Sequence, residues 1–585
     1  MNTVFTLRRA LAAVAIVSLG AGVSPLLSST TASATPRKAG RYIVRAKSDA
    51  DLAELKAELS AAGATINEDF SQVGSVSVDL DAAAATKLSI SSHVASMGKT
   101  QMRRLVDPEG STTFSAKRTR VDLGVAAAKS APADPASSLP GLMWNLDRVQ
   151  AAKANALSPG SKDVIVAVAD TGLDFTHSEL AGQIVGQADF SQTSSAPYCA
   201  TLPDGTDADL ALLNGGPANT DWNGHGTWIG GNIAAALDGV GINGIAPNVK
   251  LFDLKIAQNC GSTGDDAILN AFLYAADHGI DVVSISFGGF ADRSDPDQDA
   301  IYNLYTDVVA YARSKGTLIV AASGNEHVRL GAGGQVISHG QLMVPGSPDI
   351  DLYGYWETPG GIPGVVAVSS TGNYSAAASA TCPAGTTGSS ATCKPATDKH
   401  QPIKAGAQDQ LTYYSNYGPR IDIAAPGGAR KFNLPRADRG GTPGFPITTA
   451  DGYAAYEEFS ITSNWAQEIP CYVNVGVGYA NECYTSIQGT SMATPHVSAV
   501  AGLIASYDAE LRHKPQAILD ALRDGARQAK NYTPPMSATD KSAGDLTGLP
   551  CDSGYCHLGG KAISDDEAYG AGVVDAYRSL VKRKK

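Results

Sequence analysis

Three features that would indicate other classes of protein are absent from this sequence of 585 residues. Beyond the first 34 residues, no apolar run is long enough to cross a bilayer, so we expect no membrane partner. No basic stripe with interleaved aromatic residues occurs, and the net charge of −12 argues against nucleic acid as a partner. None of the eight cysteines forms a CxxC pair, so the sequence predicts no zinc site of that type.

The N-terminus has the parts of a secretory signal peptide, which we predict over residues 1–34. Arg8-Arg9 precede the apolar run from Ala10 to Leu19, and Ala32-Ser33-Ala34 supplies the small residues of a cleavage site. We therefore predict a secreted, extracellular protein. The arginine pair leaves open whether export uses the general secretory or the twin-arginine route.

The cysteines all lie beyond residue 190, and an even number in an exported chain favours disulfide bonds. Sequence alone does not fix the connectivity. Close spacing suggests three short bridges and leaves one long one. The suggested pairs are Cys382–Cys393, Cys471–Cys483, Cys551–Cys556 and, as the long bridge, Cys199–Cys260.

Residues 35–105 have the pattern of a small α+β domain without cysteine. Short alternating stretches indicate strands, and leucines at helical spacing indicate helices. The following residues, 106–138, lack sustained periodicity and predict a linker that contains the processing region. The predicted strands are Gly40–Arg45 and Val73–Val78, and the predicted helices are Asp49–Ala62 and Ala82–Ile90.

Residues 139–581 alternate between apolar runs and helical segments, which predicts a doubly wound, mostly parallel α/β sheet with helices on both faces. The run Val164–Ala169 is continuous, as is typical of a strand buried on both sides. Further predicted strands are Val249–Leu254, Val282–Ser286, Thr317–Ala322, Val365–Val368 and Ile421–Ala424, with helices over Ala267–His278 and Tyr302–Lys315.

Four polar residues stand where such a sheet builds its sites. Asp170 and Asn325 follow strands, whereas His225 and Ser491 open predicted helices. Open α/β sheets bind ligands at the carboxyl ends of their strands. Each residue alone has an ordinary structural interpretation, such as an N-capping serine at position 491. Together they supply a nucleophile, a base and a carboxylate.

Three motifs surround these residues in chain order: Asp170-Thr171-Gly172, His225-Gly226-Thr227 and Gly489-Thr490-Ser491-Met492-Ala493-Thr494-Pro495-His496. Together they resemble the motifs of the subtilisin family of serine peptidases. The resemblance covers roughly Trp144 to Ala576, including a closing segment at Gly570–Ala576.

The resemblance implies a role for each of the four residues. Ser491 attacks the scissile carbonyl, and His225 takes its proton and returns it to the leaving amine. Asp170 holds the imidazole in the useful tautomer. Asn325, with the backbone N–H of Ser491, stabilises the oxyanion.

The resemblance also implies where a polypeptide substrate binds. Ser286-Phe287-Gly288 matches the segment whose backbone pairs with the peptide, and Gly261-Ser262 resembles the facing segment. Recognition would be β-augmentation, in which backbone bonds give affinity and side-chain pockets give preference. Broad specificity is the expectation. Glu326, which follows Asn325, is a candidate for the main side-chain pocket.

Residues 35–105 resemble the inhibitory propeptide of the same family, a small ferredoxin-like α+β domain. Such a domain assists folding, is cut by the enzyme itself and blocks the cleft until it is degraded. We expect the chain's own propeptide to act as an intramolecular inhibitor. The cut is expected between about Met97 and Leu139.

The chain departs from the family pattern in four long insertions, at residues 183–220, 326–360, 370–410 and 428–487, which we expect to shape the cleft rim. The chemistry requires no cofactor. Acidic loops could bind structural calcium, although the sequence assigns no metal ligand. We expect a monomer.

Two alternatives remain beside a secreted, self-processed serine endopeptidase. One is a catalytically silent exported binding protein on a peptidase scaffold. The other is a serine esterase of the α/β-hydrolase type, which needs Gly-x-Ser-x-Gly with its partners after the serine. Here Gly489-Thr490-Ser491-Met492-Ala493 lacks the second glycine, and both partners come before the serine.

Overall fold

The structure is a computed structural model and describes most of the N-terminal domain and of the larger domain that follows. Only the backbone is described for the isolated short strands at 121–123, 473–475, 536–537 and 556–557. The described residues are 36–105, 121–123, 143–195, 220–239, 241–342, 350–372, 408–429, 460–466, 473–475, 483–533, 536–537, 556–557 and 562–582.

The helices are numbered in chain order. They are α1 (Asp49–Ala61), α2 (Ala82–Leu88), α3 (Trp144–Val149), α4 (Ala151–Asn155), α5 (His225–Ala234), α6 (Asp265–Asp277), α7 (Pro296–Lys315), α8 (Thr490–Tyr507), α9 (Pro515–Gly525), α10 (Asp565–Tyr569) and α11 (Ala576–Val581).

The strands are numbered in the same way. The first twelve are β1 (Gly40–Ala46), β2 (Ile66–Phe70), β3 (Ser75–Leu80), β4 (Val94–Lys99), β5 (Met102–Arg104), β6 (Val121–Leu123), β7 (Ile165–Asp170), β8 (Ile184–Asp189), β9 (Lys250–Lys255), β10 (Ser262–Gly264), β11 (Val282–Ile285) and β12 (Gly289–Ala291). The others are β13 (Leu318–Ala322), β14 (Gln341–Leu342), β15 (Ile350–Asp351), β16 (Trp356–Thr358), β17 (Val366–Gly372), β18 (Gln410–Leu411), β19 (Ile423–Pro426), β20 (Ile461–Asn464), β21 (Val473–Val475), β22 (Cys483–Ile487), β23 (Met536–Ser537) and β24 (Cys556–His557).

The N-terminal domain, residues 36–105, is an antiparallel sheet of order β2-β3-β1-β4 with α1 and α2 on one face. Side chains alternate along β1 because successive strand residues point to opposite faces. Tyr42 and Val44 pack with Leu55 of α1, whereas Ile43 joins the core that contains α6 and α7. The second face of this sheet therefore packs on the larger domain.

The larger domain is built on a sheet of order β18-β17-β13-β11-β7-β9-β8, in which β19 also pairs with β17. All pairings are parallel except that of β17 with β18. Val166 and Val168 of β7 face the core that contains α5 and α8, and Ala167 and Ala169 face that of α6 and α7. The predicted fold class, a doubly wound and mostly parallel sheet, is confirmed.

The predicted elements of the central sheet lie within a few residues of the observed ones, and two further strands lie in segments for which the sequence predicts no strand. Residues 184–189, within the predicted insertion 183–220, form β8 at the sheet edge, where one face is solvated and the apolar run is weak. Residues 121–123 fall in the predicted linker 106–138, yet they form β6, which pairs with β21. A three-residue strand is too short to give a periodic signal.

Two cysteines in the described parts of the chain, Cys260 and Cys483, are disulfide-bonded. Cys199, Cys382, Cys393, Cys471 and Cys551 lie outside the described residues, and only the backbone of Cys556 is described. The predicted pairing therefore stays a prediction. No helix in the described segments is both long and apolar enough to cross a membrane.

Candidate active site

The four predicted site residues stand at element ends on one edge of the central sheet. Asp170 is the last residue of β7, His225 the first of α5 and Ser491 the second of α8. Asn325 follows the end of β13 by three residues. Because parallel strands end at the same edge of a sheet, this topology brings residues distant in sequence to one place.

Asp170 and His225 form a buried hydrogen-bonded pair. Their Oδ1 and Nδ1 atoms are 2.8 Å apart, and each side chain is 1% exposed. Asp170 Oδ1 also accepts the Thr171 N–H at 2.8 Å. A carboxylate can only accept, so Nδ1 of the neutral imidazole carries the proton and Nε2 is left as the basic nitrogen.

Asp221 holds the turn after β7 against the start of α5. One carboxylate oxygen accepts the Thr171 hydroxyl at 2.9 Å and the N–H groups of Asn223 and Gly224 at 3.0 and 2.8 Å. The other accepts the N–H and hydroxyl of Thr227 at 2.9 and 2.8 Å. The sequence interpretation missed this residue. The signal available in the sequence is an aspartate that precedes the turn residues Asn223 and Gly224 by two and three positions, where its side chain can accept their N–H groups.

Gly226 allows α5 to approach the turn after β7 closely. A Cβ at this position would lie 2.1 Å from the carbonyl oxygen of Gly172 and 3.2 Å from Cβ of Asp170. No side chain fits at 2.1 Å from a backbone atom. A glycine after His225 is therefore required for the histidine to reach Asp170 at hydrogen-bonding distance.

Ser491 is fixed by Ser286, which directly follows β11. Pro495 has no N–H, so the Ser491 carbonyl lacks its usual donor one turn later in α8. The Ser286 hydroxyl donates to that carbonyl instead, at 3.1 Å. The Ser491 hydroxyl, 7% exposed as a residue, donates to the Ser286 carbonyl at 3.3 Å rather than to His225. A hydrogen bond from a catalytic serine to its histidine commonly forms only once substrate is bound.

Asn325 reaches the first turn of α8. Its Oδ1 accepts the Thr490 N–H at 3.0 Å and the Thr490 hydroxyl at 2.8 Å. The Thr490 N–H needs an acceptor, which fixes the orientation of the amide. Its NH₂ group is consequently directed away from Thr490. The N–H of Ser491, in the first turn of α8, has no intrahelical acceptor.

A groove bounded by β10 and Gly288 contains a strand of the N-terminal domain. Strand β5 pairs antiparallel with β10, with Arg104 opposite Ser262, and Arg104 also bridges to Gly288. The Leu105 N–H donates to the Gly261 carbonyl at 2.9 Å. The predicted substrate-binding backbone at 261, 262 and 288 thus contacts the chain's own segment. The Phe287 side chain packs in the core.

Comparison with known proteins gives the same family as the motifs. A model described as the subtilase family matches residues 161–544, more than half of the chain. The chain belongs to the subtilase family. Its catalytic chemistry is therefore that of a subtilisin-like serine endopeptidase.

Individual relatives of this subtilase are distant. Thermitase from Thermoactinomyces vulgaris is 28% identical over 361 residues, which cover 61% of this chain and 80% of thermitase. An alkaline protease from Alkalihalobacillus alcalophilus is 27% identical over 62% of this chain and 59% of its own length. The solved structure of the epidermin leader peptide processing serine protease from Staphylococcus aureus aligns with a TM-score of 0.58 at 17% identity, covering 94% of this chain and all of that one. This last likeness concerns the fold.

Two carboxyl groups of the subtilase domain lie close to predicted site residues, Glu326 directly after Asn325 and Glu357 near Gly288. Glu326 accepts the Asn416 side-chain NH₂ at 3.0 Å, and burial raises the pKa of Glu326 to about 7. Glu357 is buried, and desolvation holds its pKa well above the usual range. Its Oε1 would lie 3.2 Å from a Cβ at Gly288. Glu357 was not predicted from the sequence, because its strand β16 has only three residues and therefore no periodic pattern.

His496 makes the stability of this subtilase fold pH-dependent. Its Nδ1–H donates to the Met492 carbonyl at 2.8 Å and its Nε2 accepts from Asn145 at 3.0 Å, so the buried ring is satisfied when neutral. Burial lowers its pKa to about 4. The unfolded chain binds the proton at about pH 6.5, so stability is present above this pH and is lost as pH falls towards 4.

We expect this histidine to remove about 2–3 kcal/mol of unfolding free energy between pH 7 and pH 4.5. Urea unfolding of the Ser491→Ala protein, with and without His496→Gln, measures the effect without self-digestion. The glutamine variant is less stable at pH 7 because a buried ring is lost, but its stability should fall less on acidification. Equal losses in both proteins would contradict the assignment.

Proposed function

We propose that this subtilase is a secreted serine endopeptidase, made as a zymogen that cuts itself and is then inhibited by its N-terminal domain. The observation that supports the proposal most directly is β5. This strand is bound in the groove in the way an extended polypeptide substrate would be bound, and the groove ends at Ser491.

The site geometry supports a catalytic role for each of these residues. We assign Ser491 as the nucleophile, whose oxygen bonds to the scissile carbonyl carbon while its proton passes to Nε2 of His225. Asp170, bonded to Nδ1, stabilises the imidazolium that forms. The imidazolium then gives the proton to the leaving amine as the C–N bond breaks. Water next attacks the acyl-enzyme carbonyl, with His225 again taking the proton, and the proton then passes to Ser491 as the acyl–oxygen bond breaks.

The oxyanion of the tetrahedral intermediate needs hydrogen-bond donors. The Ser491 N–H and the Asn325 NH₂ group are the candidates, since the Ser491 N–H has no intrahelical acceptor and the start of α8 is the positive end of its dipole. The contact of Asn325 Oδ1 with Thr490 supports this role, because it fixes the amide before substrate arrives.

The N-terminal domain is complementary in charge to the larger domain, which supports the inhibitory role. Arg41 pairs with Asp266 at 2.9 Å, and Gln72 donates to Asp277 at 2.7 Å. Apolar contacts join these polar ones, through Ile43 and Phe70. Two further arginine–carboxylate pairs cross the interface, Arg37–Asp297 and Arg45–Asp307.

The register of β5 gives the proposed self-processing bond. Arg104 is opposite Gly288 in an antiparallel pairing, so the second residue after Arg104 in a bound strand would be opposite Ser286, beside Ser491. In this sequence that residue is Val106, which itself lies outside the described residues. We propose that the chain cuts the Val106–Asp107 bond.

Expression of the full chain in a secreting host tests this proposal. We expect the culture medium to contain a mature form that begins at Asp107 by N-terminal sequencing. Casein hydrolysis should start only when the N-terminal fragment has been degraded, because that fragment occupies the groove. A mature N-terminus far from residue 107 would contradict the proposed bond. Full activity of the intact precursor would contradict the inhibitory role.

A further inference from the structure

One arginine of β5 is buried in the groove. Arg103 is 4% exposed, and arginine is almost never buried this far unless it is paired. Its Nε donates to Asp265 Oδ1 at 2.7 Å, and a second guanidinium nitrogen donates to the Phe290 carbonyl at 3.2 Å. The adjacent Arg104 is partly exposed and lies on the opposite face of the strand.

The partner of Arg103 is held in place by the larger domain. Asp265 is the first residue of the thirteen-residue helix α6, where negative charge is favoured, and it is fully buried. The Tyr305 hydroxyl donates to the same Oδ1 at 2.9 Å. The other oxygen accepts the Gln101 N–H of the bound segment at 2.7 Å. When the segment leaves, Asp265 keeps Tyr305 and loses both other partners.

The groove also has the space that a long basic side chain requires. A Cβ at Gly289 would lie 2.8 Å from a guanidinium nitrogen of Arg103 and 3.1 Å from its Cδ. Any larger residue at 289 would displace the arginine. Asp265, Tyr305, Gly289 and the Phe290 carbonyl thus enclose a pocket with one negative charge and two acceptor atoms.

We propose that Asp265 is a specificity-determining residue that selects arginine in polypeptide substrates. The selected position is the one that Arg103 occupies in the bound segment, two residues before the residue whose N–H donates to the Gly261 carbonyl. The inference rests on the proposed endopeptidase function and names a substrate class for it. Two guanidinium nitrogens are used in different directions, which a lysine ammonium cannot reproduce. An apolar residue in the pocket would leave a desolvated carboxylate unpaired.

Internally quenched peptides with the sequence of residues 101–108 test the proposal on the processed wild-type enzyme. Arg103 and Arg104 are a matched pair, since they are adjacent and of the same type but face opposite sides. We expect the Arg103→Leu peptide to lose at least about 30-fold in kcat/KM, as for a buried charge pair that loses one partner. The Arg104→Leu peptide should lose less than about threefold, and Arg103→Lys should be intermediate.

Variants of the enzyme locate the effect. In Asp265→Asn the ratio of kcat/KM between the wild-type and Arg103→Leu peptides should fall to within about threefold. Asp266→Asn is the control, because Asp266 is adjacent in sequence but pairs with Arg41 rather than with β5. It should keep the wild-type ratio. If Asp265→Asn does not mature, the peptide series on the wild-type enzyme decides alone.

The outcomes separate this inference from the proposed function. A wild-type enzyme that hydrolyses casein but cleaves the parent and Arg103→Leu peptides equally would overturn the inference and leave the function intact. If the kcat/KM ratio between the parent and Arg103→Leu peptides is as large in Asp265→Asn as in the wild-type enzyme, the preference is due to other residues. That result would also overturn the inference. A protein that cleaves neither casein nor any peptide would fail the proposed function itself.

Discussion

Replacing Ser491 with alanine is expected to abolish both peptidase activity and maturation. Loss of the nucleophile should lower kcat on a peptide substrate by about 10⁵–10⁶-fold, a magnitude typical of triad serines in subtilisin-type enzymes. Because the same serine is proposed to cut the chain's own peptide bond, the variant should remain at precursor length. Electrophoresis of secreted protein and a peptide assay measure the two effects.

Ser498→Ala is the matched control for this variant. Ser498 lies in the same helix α8, is buried, and donates its hydroxyl to the Thr494 carbonyl at 3.1 Å. Its loss removes one buried hydroxyl of the same type without touching the proposed catalytic set, so maturation should proceed and activity should stay within about threefold. Normal maturation of the Ser491→Ala precursor, in a host without a helper protease, would refute self-processing.

The second large effect is expected at Asn325. Replacing it with alanine removes a proposed donor to the oxyanion, which forms only in the transition state. We therefore expect kcat to fall by about 10²–10³-fold, the size known for the equivalent amide in subtilisin, with KM nearly unchanged. Steady-state kinetics on the mature enzyme separates the two parameters.

Asn325 also accepts two hydrogen bonds from Thr490, so alanine could act by loosening the start of α8. Thr490→Val removes one of these bonds and keeps the backbone N–H. It should lower kcat by less than about tenfold. A rise in KM as large as the fall in kcat for Asn325→Ala would indicate lost binding rather than a lost oxyanion donor, and would contradict the assignment.

The buried strands and the site motifs were predictable from sequence because their signals are local. The predicted strand Val164–Ala169 matches β7 to within one residue, since a strand buried on both faces needs a continuous apolar run. The edge strand β8 could not be predicted, because it is half solvated and is defined by its pairing with β9. The edge strand β2 could not be predicted either, because three of its five residues are polar and it is defined by its pairing with β3.

The contacts that shape the site depend on tertiary structure and were not predictable. Asp221 was not predicted, because its five hydrogen bonds depend on the fold bringing the turn after β7 to α5. From the sequence alone, the acidic residues at the start of α6 would be interpreted only as favourable charges at a helix N-terminus. That Asp265 pairs with Arg103, 162 residues earlier in the chain, follows only from the pairing of β5 with β10.

The measurement that tests the central claim most directly is covalent labelling of the mature protein with a fluorophosphonate, followed by peptide mass spectrometry. Such a probe reacts with a serine whose hydroxyl is activated by a neighbouring base. We expect one labelled residue, Ser491, and loss of the label in His225→Ala. Failure to label the processed protein, or a label on a different serine, would contradict the account and favour a catalytically silent binding protein.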